Sequence, residues 1–98
     1  MNTTDKIKEW ATARGIDTCD PKGQALKLME EVGELAEGLA KQNKPLVIDS
    51  IGDVYVVLVI LSMQLRLDIE DCIESAYNEI KDRKGKVING VFVKESDL

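Results

Sequence analysis

The stretch at residues 45–65 constrains this chain most, because it is apolar almost throughout and yet carries two acids, Asp49 and Asp53, near its start. Its centre, residues 54–61, reads Val-Tyr-Val-Val-Leu-Val-Ile-Leu, and β-branched residues at that density would suit a buried strand on propensity alone. Length favours a helix: the apolar character continues through Met63 and Leu65 for about 20 residues, whereas strands usually end within about 10. A helix with apolar residues on all sides is expected to be central and buried, with other elements packed around it. The run at 54–61 is too short to span a bilayer, and Asp49 and Asp53 precede it directly, so no membrane partner is expected.

Three further segments have helical length. Residues 4–14 carry Ile7, Trp10 and Ala11 at i, i+3, i+4, with Gly15 as the stop. A second helix opens on Asp20-Pro21, an N-cap followed by proline, and is expected to run to about residue 42 with Leu28, Val32, Leu35 and Leu39 as its buried stripe. A fourth begins at the capping residue Asp68 and is expected to reach residue 84, with Gly85 as the stop. In the tail, Asn89-Gly90 lies between two apolar triplets, the short-range signature of a hairpin. The expected fold is therefore all-α: a four-helix bundle with a short C-terminal β-hairpin or extended tail, in one domain over residues 1–98.

A chain of 98 residues, 44% hydrophobic, has room for one core and gains from self-association, so a homo-oligomer is expected. Its net charge of -5 argues against nucleic acid as a partner. Cys19 and Cys72 match no metal-ligand spacing, and the first ten residues contain Asp5, Lys6, Lys8 and Glu9 with no apolar stretch. Free thiols and no secretory signal peptide point to the cytoplasm.

The acids of the second helix are unevenly served by cations. Lys27 can pair with Glu30 or Glu31, and Lys41 with Glu37, but Glu34 has only glutamates at i-4, i-3 and i+3. Asp53 sits on the most apolar helix with another acid, Asp49, at i-4, and a carboxylate buried there requires a partner, a raised pKa or a metal. Glu31 and Glu34 share one helical face, and so do Asp49 and Asp53. If those faces meet, their oxygens form a site for a hard divalent cation; a solvated acidic face is the alternative for the glutamates taken alone. Gly33 and Gly52, each just before a bare acid, fit close helix packing or ligand approach, and equally the simple tolerance of a small residue.

The string Lys27-Leu28-Met29-Glu30-Glu31-Val32-Gly33-Glu34-Leu35-Ala36-Glu37, followed by Asp49-Ser50-Ile51-Gly52-Asp53-Val54-Tyr55, resembles the MazG-like family of all-α nucleotide pyrophosphohydrolases. That family pairs an E-E-x-x-E motif on one helix with E-x-x-D on the next. Glu30, Glu31 and Glu34 match the first in full, and Asp53 matches the end of the second. Ser50 stands where the family has glutamate, with Asp49 beside it as a substitute carboxylate. The resemblance implies hydrolysis of a nucleoside triphosphate to monophosphate and pyrophosphate by a homodimer or homotetramer, with Mg²⁺ or alternatively Mn²⁺ as cofactor. Glu31, Glu34 and Asp53 are the implied catalytic centre and metal ligands, joined by Asp49 and by Glu30 or Glu37.

The chain's one dense cationic segment follows residue 80. There the resemblance makes Asn78, Lys81 and Arg83 substrate-binding candidates, although Lys and Arg also favour helix C-termini through the macrodipole. Trp10 and Tyr55 fit core packing or stacking on a base. The competing class is a non-catalytic acidic helical module that binds a metal or a partner. A di-iron carboxylate bundle is disfavoured, since the chain has no histidine.

Overall fold

The computed structural model describes all 98 residues. Four helices, α1 (Thr3–Ala13), α2 (Lys22–Ala40), α3 (Lys44–Gln64) and α4 (Ile69–Ile80), precede a hairpin of β1 (Gly85–Ile88) and β2 (Val91–Lys94). The helix starts follow the capping residues. Asn2 accepts from the Asp5 amide at 2.8 Å, Asp20 from Lys22 at 2.8 Å, Asn43 from Leu46 at 3.3 Å and Asp68 from Glu70 at 2.9 Å. Each satisfies an amide that the helix itself cannot pair. Gly15 ends α1 at φ 71°, the left-handed conformation in which glycine has no steric penalty.

Two helix ends differ from the sequence expectation. α2 stops at Ala40 and α4 at Ile80, short of residues 42 and 84. Gly85 is not the stop of α4 but the first residue of β1, where an added Cβ would overlap the Val93 carbonyl oxygen across the ladder. Asn89 and Gly90 both take positive φ, 51° and 79°, as a two-residue hairpin turn with the strands' own twist requires. The register pairs Gly85 with Lys94 and Ile88 with Val91.

α2 and α3 form an antiparallel hairpin in which Gly38 lies against Val47. An added Cβ at Gly38 would come within 3.0 Å of the Val47 side chain. α1 crosses α3, fixed by a 2.7 Å hydrogen bond between the Thr4 and Tyr55 hydroxyls, and Gln64 at the end of α3 donates to the Ile16 carbonyl at 2.9 Å. Lys8 reaches Asp68 at 3.3 Å and so ties α1 to the start of α4. The core is Ala11, Val57, Val59, Ile60 and Ile69.

The expectation of a wholly buried central helix is corrected: α3 is covered on the sides facing α1 and α2, while Ile48 and Ile51 are 63% and 58% exposed. α3 is also 21 residues long and apolar enough, by length and composition, to cross a membrane, which the short run at 54–61 had concealed. Here it is the helix on which α1 and α2 pack. The stripe assigned to α2 divides as well. Leu28 and Leu35 turn inward with Glu31 and Gly38, whereas Val32 and Leu39 lie on an exposed outer face with Met29. A folded monomer of this mass exposes about 5,600 Å², and this chain exposes 7340 Å². Its radius of gyration is 16.3 Å, against about 13 Å for a compact domain of its length.

Candidate metal centre

Where α2 and α3 face each other, the carboxylates of Glu31, Glu34 and Asp53 converge, with one oxygen from each lying within 4.8 Å of the others. The local reason is helical spacing: Glu31 and Glu34 sit one turn apart on α2, and Asp53 meets them across the seam that the Gly38–Val47 contact closes. Asp53 and Glu34 are half-buried. Glu31 is 6% exposed, and its Oε2 is buried with no hydrogen-bond partner.

That environment pushes the Glu31 pKa above the usual carboxylate range. Burial is the main cause, followed by the negative charge of Glu34, that of Asp53 and a hydrogen bond with Glu34; Lys27, 3.9 Å away, opposes the shift weakly. Glu34 has no ion pair, as its glutamate neighbours foretold, while Glu37 is held by Lys41 at 2.6 Å. The Lys41 hydrogen bond and charge lower the Glu37 pKa, so Glu37 is an ordinary solvated partner rather than part of the centre.

These observations test the site's fit to a cation. Three carboxylates offer hard oxygen donors at mutual distances that one ion can bridge, and the buried Oε2 of Glu31 has no partner, Lys27 approaching only the other oxygen, Oε1, at 3.9 Å. The residues fit a divalent metal.

Other expected ligands fall outside. Glu30 is exposed. Asp49 is exposed too and borders an open depression at the head of α3 with Asn43, Pro45, Leu46 and Ile48. The position turned into the fold is Ser50, 1% exposed, with an unpartnered Oγ. It shares the inward side of α3 with Val47 and Val57, at i-3 and i+7, a side that only the packing of α2 identifies on a helix apolar all round.

Asn78, Lys81 and Arg83 are exposed at the far end of α4, which packs mainly on α3, and none joins the carboxylates. Arg83 lines a shallow groove with Lys84, Lys94 and Glu95. Tyr55 is engaged by Thr4, and the ring of Trp10, 47% exposed, is stacked by the Arg14 guanidinium at 4.3 Å.

Residues 20–88 match the MazG nucleotide pyrophosphohydrolase domain, a span that contains both acidic helices, α4 and β1. The chain belongs to this family. Its all-α bundle is that of a MazG domain. The chain is also 46% identical over 63 residues to an uncharacterised 18.2 kDa protein from the rep-hol intergenic region of Haemophilus phage HP1 (strain HP1c1). That match covers 63% of this MazG chain and 39% of the phage protein's length. No solved structure matches the chain.

Proposed function

We propose that this chain hydrolyses a nucleoside or deoxynucleoside triphosphate to the monophosphate and pyrophosphate, using Mg²⁺, with Mn²⁺ as an alternative ion. The observation that carries this reading is the convergence of Glu31, Glu34 and Asp53, with one buried oxygen lacking any partner, inside a MazG domain. A cation held by the three would neutralise phosphate charge and acidify water. The chain's own groups do the rest: the seam fixes the carboxylates before substrate arrives, and Glu34, bare of local cations, is the group best suited to orient or deprotonate the attacking water. Asn78, Lys81 and Arg83 are the candidates for base or phosphate contacts.

The exposed free thiols of Cys19 and Cys72 fit a reducing cytoplasm as the working compartment. The large exposed surface supports a homodimer or homotetramer as the working form.

The test is pyrophosphate release from a panel of triphosphates with and without Mg²⁺, repeated with Glu34→Gln and Asp53→Asn. Each substitution is expected to lower turnover by about 100-fold or more. Activity that survives both removes the site; no turnover by folded wild type leaves the non-catalytic binding module.

A further inference from the structure

Away from the carboxylates, the end of α3 and the short helical turn at Ile16–Thr18 border a cleft of about 290 Å³, lined by Asp17, Thr18, Met63, Gln64 and Arg66. It is more closed than the depression at the head of α3, and its walls are mainly polar. Gln64 lies eleven residues beyond Asp53, about 16 Å along the helix axis, so the cleft stands apart from the metal centre.

Two opposite charges face this cleft without meeting: Asp17 and Arg66 both line it, and neither is in an ion pair. Arg66 is held at φ 60°, in the left-handed turn after a helix that glycine or asparagine usually fills. The amide of Gln64 is oriented by its Nε2, which donates to the Ile16 carbonyl at 2.9 Å, and this leaves Oε1 buried with no donor. Gln24 repeats the defect. Its Oε1 is buried and unpartnered as well, on the α2 face that carries Glu31 seven residues on, and the antiparallel pairing sets it level with the last turn of α3. Buried oxygens of this kind call for N–H donors.

We propose that this cleft binds a free α-amino acid with an apolar side chain. The ammonium group has three donors to offer the Asp17 carboxylate and the Gln64 amide oxygen. The carboxylate takes the Arg66 guanidinium, whose planar fork matches it. The side chain lies along Met63, the one apolar side chain of the wall. A zwitterion answers both unpaired charges at once, whereas a simple cation leaves Arg66 unanswered and a simple anion leaves Asp17 so. A nucleobase has donors for Asp17, but the cleft holds no aromatic face on which a base stacks. The site is independent of the hydrolase reading, because none of its residues belongs to the metal centre.

The test is a titration of metal-free, isotope-labelled chain with L-leucine, followed through its amide chemical shifts. Saturating shifts at Asp17, Thr18, Gln64 and Arg66 are expected, with a Kd of about 1 mM or lower, and no saturable shift by about 10 mM overturns the proposal. N-acetyl-leucine lacks the ammonium group and leucinamide the carboxylate. Each is expected to bind at least about 10-fold more weakly than leucine, and equal binding by either overturns the proposal. Asp17→Asn, which keeps the shape and removes the charge, is expected to cause a similar loss. Arg66→Gly removes the other charge without harm to the fold, since glycine suits φ 60°. Its melting temperature is expected to hold or rise while leucine affinity falls at least about 10-fold. Wild-type affinity in either variant overturns the proposal. Guanosine is expected to leave these resonances in place; saturable binding of guanosine there makes the cleft a base site and overturns the proposal too.

Discussion

Glu31 is held out of water beside two other acids, and its behaviour without metal should differ from that of a surface glutamate. A carboxyl whose pKa is higher folded than unfolded opposes folding once ionised, so stability falls as pH rises through the range between the two values. Glu31→Gln is therefore expected to raise the melting temperature of metal-free protein at neutral pH and to shrink the further rise on adding Mg²⁺; an undiminished Mg²⁺ response would exclude Glu31 as a ligand. Ser50→Glu should act oppositely. A fourth carboxylate in the seam lowers the metal-free melting temperature and tightens Mg²⁺ by about 10-fold, because affinity follows ligand charge. Asp68 tests the sign with a depressed pKa, produced first by the Glu70 amide and, against the cost of burial, by Lys8. Its contribution is present above the unfolded pKa and lost as pH falls through the lower folded one. Asp68→Asn keeps the cap but not the charge, so its stability deficit is expected at pH 6 and to vanish in acid titrations monitored by circular dichroism. Glu34 and Asp53 were legible in the sequence because no cation stood within helical reach. The choice between Ser50 and Asp49 was not, since one residue turns a side chain by about 100° and only the packing of α2 shows which way is inward.

Element ends repeat the pattern. Asp20 and Asp68 mark helix starts through bonds to amides two residues on, and a signal so local survives in the sequence, whereas Asn2, which caps α1 through the Asp5 amide, was not singled out there. The end of α4 had no such mark: Gly85, which looked like a stop, is required by the close approach of the Val93 carbonyl, a contact between strands. Gly38 is likewise a tertiary requirement. Alanine in mid-helix gains about 1 kcal/mol over glycine by propensity. At Gly38, however, the new Cβ would sit 3.2 Å from the Val47 backbone nitrogen and 3.3 Å from Leu46 Cγ, and a backbone atom does not yield readily. Gly38→Ala is therefore expected to destabilise by about 1 kcal/mol net in urea titration, overpacking outweighing propensity. A stabilised variant would mean that α2 and α3 can separate without loss.

For the molecule as a whole, the all-α class followed from two apolar stripes, one long apolar run and the cap at Asp68, but the unpaired surface did not, because a sequence pattern shows which faces are apolar and not which of them find partners inside the chain. α2 has two such faces, and only the one carrying Leu28, Leu35 and Gly38 is answered by α3. The other, with Met29 and Val32, and the stripe of Ile73, Tyr77 and Ile80 on α4 remain open to water. With so few residues buried in one chain, folding and association are expected to be one event. The melting temperature should then rise with protein concentration, each tenfold increase stabilising the folded dimer by about 1.4 kcal/mol per mole of dimer. Tyr77→Glu, which puts a charge into the α4 stripe without touching α1–α3 contacts, should lower the melting temperature and remove its dependence on concentration. Scanning calorimetry across a hundredfold concentration range distinguishes the cases: a midpoint independent of concentration in the wild type would mean that the α1–α3 core suffices alone and that the exposed faces serve no second copy.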